Sequence, residues 1–118
     1  MMIDSDRMRD VVGDDKDLVS DLACLFVQLL PDVEARLRVS VGDRDGEGVR
    51  IAAHQLKNRL RYFGADGLVD QSRRIETAAA AGTYDGLTDE VDRLLVDVEV
   101  MLEELRTIVN LPLRRDED

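Results

Sequence analysis

Cysteine, proline and aromatic residues are all scarce in this chain. Cys24 is the only cysteine among 118 residues, so an intrachain disulfide is impossible and a cysteine-based metal cluster is excluded. It lies among Leu22, Leu25 and Phe26, a setting that points to a small buried thiol. There are two prolines, and the aromatic residues are Phe26, Phe63, Tyr62 and Tyr84, with no tryptophan. Alternating runs of Val, Ile, Thr and aromatic residues, which mark half-buried strands, are missing. No apolar run approaches the roughly 20 residues that a membrane-spanning helix needs. The segment from Met1 to Asp15 is acidic and lacks the apolar stretch of a secretory signal. Positive charge is short too: 16 Lys and Arg face 26 Asp and Glu, a formal net charge of −10. That balance argues against a general nucleic-acid or anionic-membrane binder. A cytoplasmic protein is expected, with neither nucleic acid nor membrane as partner.

What is present suits helices. Hydrophobic residues make up 44% of the chain, mostly Leu, Val, Ala and Ile, enough for one core in one domain. A short first helix is expected over residues 3–12, with Asp4 or Ser5 as N-cap and Gly13 as the stop. A long second helix should run from about Asp15 to Val41. Its apolar positions Leu18, Leu22, Leu25, Phe26, Leu29, Leu30, Val33 and Leu37 recur at spacings of three and four. Pro31 falls inside it and should kink it or open a turn. Residues 42–48 read as a loop. A third helix is expected over about Glu47 to Phe63, stopped by Gly64, and a fourth from Ala65 or Asp66 to Ala81, closed by Gly82. A fifth, strongly amphipathic, should start near Tyr84 or Thr88 and end at Val109. The fold class is therefore all-α, an antiparallel up-down four-helix bundle with a short extra N-terminal helix. One domain over residues 1–112 is expected, its core bundle at about 15–109. After Pro112, the charged tail at 113–118 is expected to be disordered.

His54 is the only histidine, and the third helix gives it a particular setting. At about 100° per residue, Val49, Ala52, Ala53, Leu56, Leu60 and Phe63 group around one direction, which must face the core. His54 points nearly the opposite way. Arg50, Lys57, Asn58 and Arg61 share its face. Between Arg50 and Arg74 six basic residues stand against two acidic ones, inside a chain that is acidic elsewhere. An exposed histidine on a solvated basic face usually has no role. Here, however, an imidazole nitrogen is a good nucleophile towards phosphorus, and nearby cations stabilise phosphoryl oxygens. A metal site fits poorly, because one histidine without cysteines sits among positive neighbours. A hydrolase triad fits no better, because there is no nucleophile elbow.

The segment 53–65, Ala-His-Gln-Leu-Lys-Asn-Arg-Leu-Arg-Tyr-Phe-Gly-Ala, resembles the signature of histidine-containing phosphotransfer (HPt) domains. That signature is A-H-x-L-K-G, a few mostly small residues, then G-A; Ala53, His54, Leu56, Lys57, Gly64 and Ala65 match it at the right offsets. Further on, Leu68, the Ile75-Glu76 pair and a small-residue run to Gly82 resemble the family's next helix, and the likeness in helix pattern spans about residues 15–109.

The resemblance implies a phosphocarrier of two-component phosphorelays. It would accept a phosphoryl group from an aspartyl phosphate on a receiver domain and pass it to another response regulator. Its partners would be receiver domains of response regulators or a hybrid sensor histidine kinase. His54 would attack through Nε2, Lys57 would steady the phosphoryl oxygens, and Glu76 would hold the Nδ1 proton. No cofactor is implied: magnesium would belong to the receiver, and the family neither binds ATP nor phosphorylates itself. The chain has no glycine-rich phosphate loop.

The sequence departs from the pattern where the family's glycine after the lysine is Asn58, and where Arg59, Leu60, Arg61 and Tyr62 replace small residues. Those departures motivate an alternative, a pseudo-HPt module that docks a receiver or kinase without being phosphorylated. A third possibility is a helical interaction bundle outside phosphorelays. Docking is expected around His54 through Arg50, Ile51, Asn58, Arg61, Tyr62 and Arg73. With one basic patch and no second apolar face, a monomer is expected.

Overall fold

The computed structural model describes residues 1–109, so the 113–118 tail lies outside the described residues. Five helices follow in order: α1 (Ser5–Val12), α2 (Lys16–Gly42), α3 (Gly46–Leu60), α4 (Asp66–Ala80) and α5 (Leu87–Ile108), with a 3₁₀ turn at Arg61–Phe63 between α3 and α4. The first three are capped by Asp4, Asp15 and Asp45; the first two each accept two hydrogen bonds from free N–H groups of the helix's first turn, and Asp45 accepts one, from Gly48. The loop before α3 is shorter than expected, because α2 continues to Gly42 and α3 starts at Gly46. Pro31 lies within α2 without ending it; lacking an N–H, it leaves the Val27 carbonyl without its helical donor.

The helices α2 to α5 form an up-down bundle. Successive helices pack on one another and α5 returns to α2. Arg38 near the end of α2 meets Asp92 near the start of α5, and Gln71 of α4 meets Asp97 of α5. The core includes Phe26, Leu30, Leu56, Phe63, Ile75 and Leu94, all essentially inaccessible to water. Each such side chain contributes roughly 1.5–3 kcal/mol by leaving water. Phe26 and Phe63 meet edge to face at 5.8 Å, which ties α2 to the 3₁₀ turn.

Gly64 joins α1 to the bundle. Its φ of +64° is a left-handed conformation, and a Cβ there would lie 2.5 Å from the Asp4 carbonyl oxygen and 2.8 Å from the Met8 nitrogen. Its own carbonyl accepts the Asp4 N–H at 3.2 Å. The glycine of the signature is thus the residue on which the N-terminal helix rests.

Two expectations are corrected. In the first half of α2 the buried line is Val19, Ala23, Phe26 and Leu30, whereas Leu18 and Leu25 are 41% and 60% exposed and Leu22 and Leu29 only half-buried. Apolar residues at so many positions between 18 and 30 offer two adjacent stripes, and packing against the other helices selects one. Cys24 is half-buried rather than buried. Val96 and Val100 of α5 are exposed, as are Leu18 and Leu25, so apolar surface also lies beyond the basic patch. Among the described residues no helix is long and apolar enough to cross a membrane.

Candidate functional site

Helix α3 packs one side against α2 and another against α4, so its residues fall into three zones. Ala53 and Leu56 are buried in the core. Gln55 turns towards α2, where Arg36 donates to it at 3.3 Å. His54 stands above the seam with α4, its side chain 49% exposed, as the wheel requires.

Lys57 departs from expectation. It does not lie free on the face of His54, since only 10% of its side chain is exposed. Its wheel position is about 60° from His54 on the core side, which places the aliphatic stem in the α3–α4 seam. Its ammonium donates to Glu76 Oε1 at 2.7 Å. The other oxygen of Glu76, Oε2, lies 2.9 Å from His54 Nδ1. One carboxylate on α4, 16% exposed, therefore joins the buried lysine to the exposed histidine.

Burial pulls the Glu76 carboxyl upward, but the hydrogen bonds from Lys57 and His54 together outweigh it and hold the group below its ordinary value. Glu76 is thus ionised at neutral pH and can only accept. Nδ1 must supply the proton of that bond, so in a ring carrying one proton the lone pair is on Nε2. Such a nitrogen can attack an electrophile arriving from outside the bundle. Among the described residues no group of His, Cys, Asp and Glu could hold a metal ion.

The expected docking residues share the region in different states. Ile51 and Tyr62 are exposed. Arg50 grips Glu47 one turn away through two bonds, at 3.1 and 2.7 Å. That hydrogen bond, with the charge behind it, holds the Glu47 carboxyl low and raises the Arg50 guanidinium. Asn58 is half-buried and accepts from Arg61 at 3.2 Å, so two of the departures from the signature are tied to each other. Arg73 pairs with Asp70 on its own helix, at 2.9 Å, rather than with the His54 cluster. Arg50, Lys57 and Arg73 are thus matched by acids, and Arg61 by an amide.

Sequence reasoning missed one component. Leu22, Leu25 and Leu29 of α2 line an open groove with Tyr62 and Arg59. Ile51, Asn58 and Tyr62 fall at spacings of seven and four beside His54, so the groove continues the surface around the histidine. The signal for it is the unusually apolar α2 sequence, which holds more leucines than one buried face can take.

Comparison with curated proteins and with solved structures gives no match. The family model described as the Hpt domain matches residues 21–108, which includes all of α3, α4 and α5 and most of α2 but not α1. With most of its length matched, the chain belongs to the Hpt domain family.

Proposed function

We propose that this protein is a cytoplasmic phosphocarrier in a multistep phosphorelay, with His54 as the phosphoryl acceptor. The observation that carries the reading is the 2.9 Å bond between His54 Nδ1 and the Glu76 carboxylate, which favours the proton on Nδ1 while the His54 side chain stays 49% exposed. In the forward step the Nε2 lone pair attacks the phosphorus of a receiver's aspartyl phosphate. The N–P bond forms as the acyl O–P bond breaks, and the receiver aspartate leaves as a carboxylate. The second step reverses this on another response regulator. Magnesium belongs to the receiver, and the chain supplies no kinase activity of its own. Its partners are receiver domains, free or on a hybrid sensor kinase, not nucleic acid or membrane.

Docking uses the exposed surface next to His54. Ile51, Tyr62 and the Leu22–Leu25–Leu29 groove supply apolar contact, and Arg50, Asn58, Arg61 and Arg73 form a polar rim. A second reading, a docking module that accepts no phosphate, is favoured by the Asn58–Arg61 pair, which occupies space the signature leaves open.

The test is incubation with phosphorylated receivers. Label should pass to the protein and disappear in His54→Gln, and phosphorus NMR should show an acid-labile phosphohistidine. Label that survives the substitution refutes His54 as acceptor. Receiver binding without any phosphohistidine signal establishes the docking module instead.

A further inference from the structure

Lys57 stands where a phosphoryl-binding cation is expected by resemblance, yet the structure gives its ammonium a different occupant. It bonds Glu76 Oε1 at 2.7 Å inside the α3–α4 seam, with its side chain 10% exposed. We infer that Lys57 is a positioning residue, which acts on His54 through Glu76 by holding that carboxylate ionised and aimed at Nδ1. The inference rests on the phosphocarrier reading for its purpose, but its evidence is the geometry of the resting protein.

Three observations carry it. First, the two oxygens of Glu76 are divided between the two side chains, Oε1 to Lys57 and Oε2 to His54. An anchored Oε1 limits rotation of the carboxylate and so fixes where Oε2 points. Second, burial acts against ionisation of Glu76, and the Lys57 hydrogen bond is the largest influence opposing it. A protonated Glu76 could donate as well as accept, and it would no longer dictate which ring nitrogen carries the proton. Third, leaving Glu76 to reach a phosphoryl group on Nε2 would strip the ammonium of its counter-ion in a largely buried seam.

The other charges nearby do not take over the task. Arg50 acts on Glu76 only through space, while its guanidinium is held by Glu47. Arg73, one turn away on α4, is held by Asp70. Arg36, from α2, bonds Gln55 on the far side of α3.

The inference is tested by NMR on the complete, unphosphorylated chain. Nitrogen shifts of the imidazole report the tautomer of His54, and the carboxyl carbon reports the titration of Glu76. At a pH where the ring carries one proton, the parent should show it at Nδ1. Lys57→Met should lose that single signature for a mixture of tautomers and should move the Glu76 midpoint upward; Lys57→Arg should restore both. A Lys57→Met protein that keeps the parent tautomer and the parent Glu76 titration overturns the inference.

A second measurement needs no substitution. The parent is phosphorylated with phosphoramidate and the Lys57 Nζ resonance is followed. It should keep its Glu76-bound position, whereas transfer of the ammonium to the phosphoryl group overturns the inference. Because the tautomer spectra need no transfer, failed labelling by receivers would refute the phosphocarrier reading and leave this result standing.

Discussion

The pair Lys57–Glu76 should behave as a buried ion pair, and a double-mutant cycle measures it. The variants are Lys57→Met, Glu76→Leu and the two combined. The side chains are only 10% and 16% exposed, so removing one strands the other charge in a poorly solvated seam. Fully buried pairs broken this way lose about 3–5 kcal/mol. Here the flexible lysine can swing partly into water and Glu76 keeps His54 as a partner, which brings the expectation to about 2 kcal/mol for each single variant. For a domain of this size that corresponds to a fall in Tm of roughly 8 °C.

The double variant places two apolar side chains in the same seam. It should cost less than about 1 kcal/mol, so the coupling energy is about 3 kcal/mol. Urea unfolding followed by circular dichroism at pH 7 reads all four corners. Costs that simply add, within about 0.5 kcal/mol, refute the buried pair. The sign with pH is also set. Glu76 is held below its ordinary value when folded, so its contribution is fully present above the unfolded carboxyl pKa of roughly 4.3. It fades as pH falls through the lower folded value, and the coupling should shrink with it.

Two further outcomes test the surroundings of the site. Gly64→Ala should cost more than about 2 kcal/mol, from a left-handed backbone worth roughly 1–2 kcal/mol plus the close approach to Asp4 and Met8. Hydrogen exchange should show α1 loosened before the bundle, and unchanged protection of α1 would remove Gly64 as its support. Leu25→Glu should leave stability within about 0.5 kcal/mol, because Leu25 is 60% exposed. Receiver binding should nevertheless weaken on the order of tenfold if α2 belongs to the docking face. Equal affinity measured by calorimetry would exclude the α2 groove from that face.

Local chemistry made much of this protein legible in its sequence. Asp4 capped α1 and Gly13 ended it where their local preferences predict, whereas α3 stopped at Leu60, short of the expected Phe63, and Gly64 ended the 3₁₀ turn that follows. His54 was placed on the exposed side of α3 by spacing alone, because five core positions on one helix leave little freedom in its rotation. The His54–Lys57 spacing and the downstream Glu76 pointed to three side chains that the fold brings into contact. Their mutual arrangement was not legible, because a helical wheel treats every lysine as solvent-facing. Only the neighbouring helix shows that the Lys57 stem lies in a seam and that its ammonium has a carboxylate to meet. The same holds for α2, where nearly continuous apolar sequence supports two registers of similar quality. Burial against the partner helices put Phe26 inside and left Leu25 on the surface. Short-range preferences thus determined the helices and the exposure of His54. Which charge is buried, and which leucines are free to meet a partner, depends on the surfaces that tertiary packing brings together.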